Sequence, residues 1–417
     1  MTENNNIISN YEDIEKKISK LLEINPIIKS VENKTNLKGE VIGKITKNYH
    51  YVEEDSYIKD IIDDLVKDEE ITAIGVVNKD LKPIGTIIRQ NLFDIVGKKF
   101  GRDLLENKKV KEICDKKSIG IVVKTPTFYY NVPILTVAKD LEKHLEDKSI
   151  TYFTVIDNDG NFYGLFSNID ILFYLSKMTQ KEIKLAKDIQ LSIIKENTYI
   201  KEKDIEFAAA TSMAKGLGGD FYTIKTVNNK HILTLCDVSG KGVSSALISV
   251  LLGGLIDFYD FENEKMSNFI KKLNEHIFDS FNLQKYLTGI FLEINEKNRI
   301  DIYDMGHSYI YVYMNKKLHK INNPHSNLPI GIAKDVETNS ISLKLEKDRI
   351  FLIVSDGIIE QQNNEGRMYS LGRIREIIEK NENDISRIPE IILKDLENFR
   401  GKEPQHDDAT LIIFRKV

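Results

Sequence analysis

The chain has 417 residues, 41% of them hydrophobic, enough for two or three cores of ordinary domain size. A formal net charge of −5 leaves no electrostatic footprint for nucleic acid or an anionic membrane surface. The two cysteines, Cys114 and Cys236, fall in segments that read as different domains, which argues against a disulfide framework and fits a reducing compartment.

Residues 1–24 begin Asn-rich and pass into a short amphipathic pattern, with Ile14, Ile18, Leu21 and Leu22 at helical spacing. They lack the apolar core of a signal peptide. The longest apolar stretch, Val243 to Leu255, contains Ser and Gly and is too short to span a bilayer. A cytoplasmic protein with no membrane or nucleic-acid partner is expected. The predicted division is an N-terminal helical extension (1–36), a repeat module (37–177), a linker helix (178–198) and a catalytic domain (199–417).

Within 37–177 the segment 70–93 aligns without a gap to 149–172, an offset of 79 residues. In each copy a strand ends in an Asp/Asn/Gly-rich turn, a second strand crosses a glycine (Gly85, Gly164), and a helix follows. An amphipathic helix precedes each copy, through Ile58, Ile61, Ile62 and Leu65 or through Val137, Leu141 and Leu145. This βαββα plan resembles a tandem pair of CBS domains. Such a resemblance implies a cleft between the repeats for a regulatory adenine nucleotide, with Gly164, Ser167 and Asp170 at the positions of the family's ribose contact. The first copy has Ile88 and Asn91 there. Ser167 and Asp170 are equally the residues that cap a helix beginning at Asn168.

Residues 178–197 contain no Pro or Gly, and Ile183, Ala186, Ile189 and Ile193 form one apolar stripe. Such a helix needs something to pack on. The candidates are a second copy of itself, giving a homodimer, or one of the flanking domains.

From Ile205 onward, apolar runs at 205–210, 221–227, 231–237, 286–294, 300–305, 308–313, 350–355 and 409–414 read as strands. Helical periodicity lies at 243–260, 264–281, 371–380 and 387–400. Strands and helices come in groups, which predicts an α+β fold with antiparallel sheets. Acidic residues stand where strands end: Asp220 after Gly218-Gly219, Asp237 before the turn Ser239-Gly240-Lys241-Gly242, Asp356 before Gly357, and Asp407-Asp408 before Ala409. With no paired His or Cys nearby in sequence, they predict an all-oxygen site for hard divalent cations.

These motifs, with Gly306-His307, Leu328-Pro329-Ile330-Gly331 and Glu360, occur in the order found in the SpoIIE/RsbU-type serine phosphatases, of the metal-dependent type 2C class. The segment Leu185 to Gln190 is similar to that family's linker consensus. The resemblance implies an αββα sandwich holding two Mn²⁺ or Mg²⁺ ions. Asp237 would bridge them, the Val238 carbonyl would ligate one, Asp356 and Asp407 would complete one shell, and Asp220 would serve the other. It further implies a phosphorylated protein substrate, often an anti-anti-sigma factor. Cys236 and Met305 replace small residues of the pattern, and no Pro follows the linker helix. Asp407 and Asp408 are separated only by position. His307 reads as structural, and Lys241 as facing either a phosphate or solvent.

Other chemistries fail on spacing. Lys241 is followed by Gly242 rather than the Ser/Thr of a P-loop. Gly218-Gly219-Asp220-Phe221 lacks the Glu of a diguanylate cyclase signature, and Ser239 stands where an aspartyl-phosphate phosphatase needs its second Asp. The competing class is a non-catalytic CBS nucleotide sensor whose C-terminal domain docks partners.

Overall fold

The computed structural model describes residues 26–32, 37–114, 120–146, 149–324 and 327–417. The amphipathic helix expected within 1–24 lies outside the described residues. The chain divides into two compact units, Met1–Thr179 and Gln180–Val417.

The first unit repeats one plan. Strand His50–Glu53 runs parallel to Ala73–Val77, with helix Ile58–Lys67 between them, and Ala73–Val77 pairs antiparallel with Pro83–Ile88. In the second copy Thr127–Tyr129 runs parallel to Tyr152–Ile156, which pairs antiparallel with Phe162–Ser167. Even the bulge recurs, between Val76 and Val77 and again between Val155 and Ile156. The expected helix stripe is the buried one: Ile58, Ile61, Ile62 and Leu65 are all inside. Gly85 and Gly164 occupy matching places for the same reason. A Cβ on Gly85 would lie 2.4 Å from Val122 Cγ1, and one on Gly164 would lie 2.5 Å from Thr46 Cγ2. A third segment crosses each strand there, and only glycine leaves it room. Each copy has its own core, and a smaller cluster of Ala73, Val77, Tyr152, Phe162 and Leu165 joins the two.

Helix Asn168–Ile193 has 26 residues and no break, beginning in the first unit and ending in the second. It starts ten residues before the linker read from the sequence, because nothing between Asn168 and Ile193 ends a helix.

The second unit holds two antiparallel sheets. One runs in the order Lys317–Lys320, Ile310–Met314, Ile350–Val354, Ala409–Lys416, Ile205–Ser212, Asn197–Glu202. The other runs Phe221–Val227, Lys230–Val238, Leu287–Ile294, Arg299–Met305, Ile341–Lys344. Alternation along the strands shows the layering. Phe207, Ala209, Phe351, Ile353, Ile412 and Phe414 enter a core shared with the second sheet and with helices Val243–Phe258 and Met266–Phe281. Their neighbours Ala208, Ala210, Leu352, Leu411 and Ile413 face helices Leu371–Lys380 and Ile388–Arg400. A sheet buried on both faces reads as continuous apolar runs, as these strands do. The result is an α+β fold of four layers, helix, sheet, sheet, helix. Among the described residues no helix is long and apolar enough to cross a membrane.

Candidate active site

The site is built where the strand ends of the two sheets meet. Asp237 stands one residue before the end of Lys230–Val238, opposite Thr288 in register. The turn beyond it needs positive φ at Gly240 (+86°) and Gly242 (+88°), and Gly242 caps the helix Val243–Phe258. Tyr286 N–H donates to Ser239 Oγ (3.0 Å), and Lys285 Nζ donates to the Ser239 carbonyl (2.8 Å), which fixes that turn.

Asp220 precedes Phe221, which pairs with Cys236, so register alone brings Asp220 beside Asp237. The approach is tight. A Cβ on Gly219 would lie 2.9 Å from the Val238 carbonyl oxygen and 3.5 Å from Asp237 Oδ1. Bulky Cys236 is accommodated from the other side, because its partner is Gly289, whose Cβ would stand 2.5 Å from the sulfur.

Asp356 opens the short helix Asp356–Ile359. Its corner is locked to the Asp407-Asp408 corner through Ser355. Ser355 N–H donates to the Thr410 carbonyl (2.8 Å), Ser355 Oγ donates to the Asp408 carbonyl (3.0 Å), and Thr410 N–H donates to Ser355 Oγ (2.9 Å). Gly357 lies so close that a Cβ there would be 2.0 Å from the Asp408 carbonyl oxygen.

The two adjacent aspartates take different tasks. Asp408 accepts from Ala214 N–H (2.8 Å) and Gly219 N–H (2.7 Å), clasping the loop that carries Asp220. Asp407 Oδ2 instead meets the Lys241 ammonium at 2.7 Å. Asp407 is therefore the member of the pair not committed to backbone amides across the fold.

Electrostatics ties the carboxylates together. Burial, followed by the charges of Asp356, Asp407 and Asp408, pushes Asp237 up to about 7. Burial and then Asp237 and Asp408 push Asp220 well up, and burial and then Asp407 raise Asp356. Asp220 is 3% exposed, and its Oδ2 has no hydrogen-bond partner. A buried carboxylate oxygen without a partner costs on the order of 1–3 kcal/mol or more. A cation offsets such a cost, and an acceptor-only donor set of this kind suits Mg²⁺ or Mn²⁺. Among the described residues no three such side chains close on one point. Asp220, Asp237, Asp356 and Asp407 supply oxygen donors of the kind that divalent cations take, at neighbouring corners of the fold.

His307 is inside the sandwich. One ring nitrogen, Nε2, is 2.8 Å from the Val354 carbonyl, Nδ1 is 3.4 Å from Thr288 Oγ1, and burial lowers its pKa. It braces Thr288, opposite Asp237, from behind. Met305 is core.

Gln190 carries a role that sequence reading did not assign. It is 1% exposed; Nε2 donates to the Gly218 carbonyl (2.7 Å) and Ser249 Oγ (2.8 Å), and Oε1 accepts from Gly218 N–H (3.2 Å). The available signal was a polar residue four before buried Ile194 on a docked helix face.

In the first unit, Ser167 and Asp170 close on each other. Asp170 Oδ2 accepts from Ser167 N–H (2.8 Å) and Oγ (2.7 Å), while Oδ1 meets Lys47 Nζ at 2.6 Å. The pair caps the long helix. A cleft of about 690 Å³ lies on the first copy's side, lined by Thr72, Ile88, Arg89, Asn91, Phe93 and Tyr152 among others.

Residues 228–417 match the family model of Stage II sporulation protein E (SpoIIE). Phosphoserine phosphatase RsbU of Bacillus subtilis (strain 168) is 23% identical over 262 residues, 61% of this chain and 76% of RsbU. Phosphoserine phosphatase RsbP of the same organism is 27% identical over 188 residues, 44% of this chain, which spans under half (46%) of RsbP. Among solved structures, the SiaA-PP2C domain of Pseudomonas aeruginosa has 16% identity and a TM-score of 0.49, covering 58% of this chain and 99% of that one. The family match over residues 228–417 and the two phosphoserine phosphatase relatives, taken with the ordered motifs, support a protein serine/threonine phosphatase.

Proposed function

We propose that the protein removes phosphate from phosphoserine or phosphothreonine of a partner protein at a site for two divalent cations, Mn²⁺ or Mg²⁺. The unpartnered, buried Asp220 oxygen beside Asp237 carries this reading. Asp237 would bridge the ions, with Asp356 and Asp407 on one, Asp220 on the other, and the Val238 carbonyl completing a shell. Bound there, such ions lower the pKa of water and neutralise charge on the phosphoryl oxygens. The residues around them do the positioning. Asp408 clasps the Asp220 loop, Ser355 ties the Asp356 corner to the last strand, and the Ser239–Gly242 turn holds Asp237 at its strand end.

The substrate class rests on the relatives, both phosphoserine phosphatases. A phosphorylated anti-anti-sigma factor in a cytoplasmic partner-switching pathway fits that kinship. For the first unit, the doubled strand–helix–strand–strand plan supports a tandem CBS pair as a regulatory module. Its ligand would be an adenine nucleotide, with Gly164, Ser167 and Asp170 as contacts. Exposed Ile183, Leu185 and Ile189 on the connecting helix support a homodimer through that helix.

The test is hydrolysis of p-nitrophenyl phosphate and of a phosphoserine protein by the full chain, with and without Mn²⁺. Metal-dependent turnover, lost by at least about a hundredfold in Asp237→Asn, is expected. Turnover that survives chelation, or an Asp237→Asn protein as active as wild type, would end the proposal.

A further inference from the structure

We propose that Lys241 is a tethered counter-ion that holds the metal-free carboxylate cluster together and competes with a divalent cation for Asp407. The inference rests on the metal-site reading above. Lys241 Nζ contacts Asp407 Oδ2 at 2.7 Å and donates to the His406 carbonyl at 2.6 Å. Its own backbone belongs to the turn that follows Asp237, between Gly240 and Gly242, and that turn is fixed by Tyr286 and Lys285. One ammonium therefore reaches from the Asp237 corner across to the Asp407 corner. A single positive charge offsets only part of a cluster that includes Asp220, Asp237, Asp356 and Asp407. The Lys241 side chain is 45% exposed and Asp407 37%, so the pair is open to water and loosely held. A dication carries twice the charge and needs the Asp407 oxygen that Lys241 covers. Binding therefore competes with this pair for the same carboxylate.

Titration of Mn²⁺ into the full-length protein by calorimetry, without substrate, tests this directly. Lys241→Met should bind Mn²⁺ roughly threefold to tenfold tighter than wild type, the range expected for removal of one exposed pair and a repelling charge. In EDTA it should melt about 1–3 °C lower. Lys241→Gln, which keeps a donor for the His406 carbonyl but no charge, should tighten binding likewise. Lys402→Met removes an exposed lysine five residues before Asp407 that takes no part in the turn or the pair, and should bind within about twofold of wild type. Unchanged or weaker affinity in both Lys241 variants overturns the inference. Equal tightening in Lys402→Met overturns it too, because a general field rather than the pair would then be responsible. If none of these proteins takes up Mn²⁺, the metal-site reading fails along with it.

Discussion

Replacing Gln190 by Ala tests whether the helix entering the second unit is part of the catalytic scaffold. The substitution removes three hydrogen bonds at once, two of them to the backbone of Gly218. Ser249 keeps its bond to the Ala246 carbonyl (2.8 Å), so it is not stranded. The Gly218 N–H and C=O lie in a buried residue and lose their side-chain partner, at about 1–3 kcal/mol for each group. Allowing for relaxation, the unit should lose about 3 kcal/mol. At roughly 2–4 °C per kcal/mol for a domain of this size, its melting transition should fall about 6–12 °C. Gly218 precedes Asp220 by two residues, so kcat/KM should fall by about one to two orders of magnitude, as expected when a catalytic group shifts by about 1 Å. Calorimetry of the full chain reads the first effect, and phosphatase assays across a Mn²⁺ series read the second. Gln190→Glu should be worse than Ala, since it keeps one acceptor, loses both donations and buries a charge. A Gln190→Ala protein that melts within about 1 °C of wild type and retains full activity refutes the reasoning.

Asp407 and Asp408 should separate by assay. Asp408→Ala strands the Ala214 and Gly219 amides and should cost about 2–4 kcal/mol in chemical denaturation, whereas Asp407→Ala should leave stability nearly unchanged and lower Mn²⁺ affinity. Gly357→Ala forces a methyl against the Asp408 carbonyl, and should reduce turnover more than about tenfold while the protein still folds, read by circular dichroism beside activity. His307 gives a pH dependence whose sign follows from burial. Its folded pKa lies below the unfolded value near 6.5, so the unfolded chain takes up the proton first as pH falls. Stability is then full above about pH 6.5 and declines as pH drops toward the folded value, and His307→Gln should flatten that decline in thermal melts. His231, also lowered by burial, adds slope of the same sign, while the raised Asp220, Asp237 and Asp356 add slope of the opposite sign.

Much of this architecture was legible because burial on two faces leaves a strong mark. The strands of the sandwich and the repeat at 79 residues were visible as apolar runs, and the register reproduces them. Three strands were missed: Asn197–Glu202, Lys317–Lys320 and Ile341–Lys344. All three are edge strands. An edge strand solvated along one side alternates exposed and half-buried residues and carries Lys, Asn and Ser, so no apolar run announces it. The stripe on the linker is covered only at its C-terminal end. Ile189 is 53% exposed, and the docked face runs instead through Gln190 and Ile194, with Ile193 against Gly253. A narrow apolar seam names a face that wants cover, while the face actually covered here is fixed by an amide. The choice between Asp407 and Asp408 was illegible for a related reason. What distinguishes them is which one meets two backbone amides nearly two hundred residues away, and backbone amides have no sequence signature.

Those two clasps act on neighbouring residues from opposite sides. The Gln190 amide takes both backbone groups of Gly218, and the Asp408 carboxylate takes the N–H of Gly219. Asp220 follows immediately, inside the sandwich, with an oxygen that no other group satisfies. The loop thus has two fixed points, one on the last strand and one on the long helix, and little freedom between them. Hydrogen bonds of this kind weaken steeply outside about 2.7–3.2 Å. A slide of that helix by even about 0.5 Å must therefore either drag Gly218 with it or break the Gln190 contacts. The strand side cannot follow, because Asp408 is anchored through Ser355 and Thr410 to the neighbouring strand. Movement along the helix would load the Gly218–Asp220 loop through this amide, alongside the buried Ile194 and the Ile193 contact with Gly253.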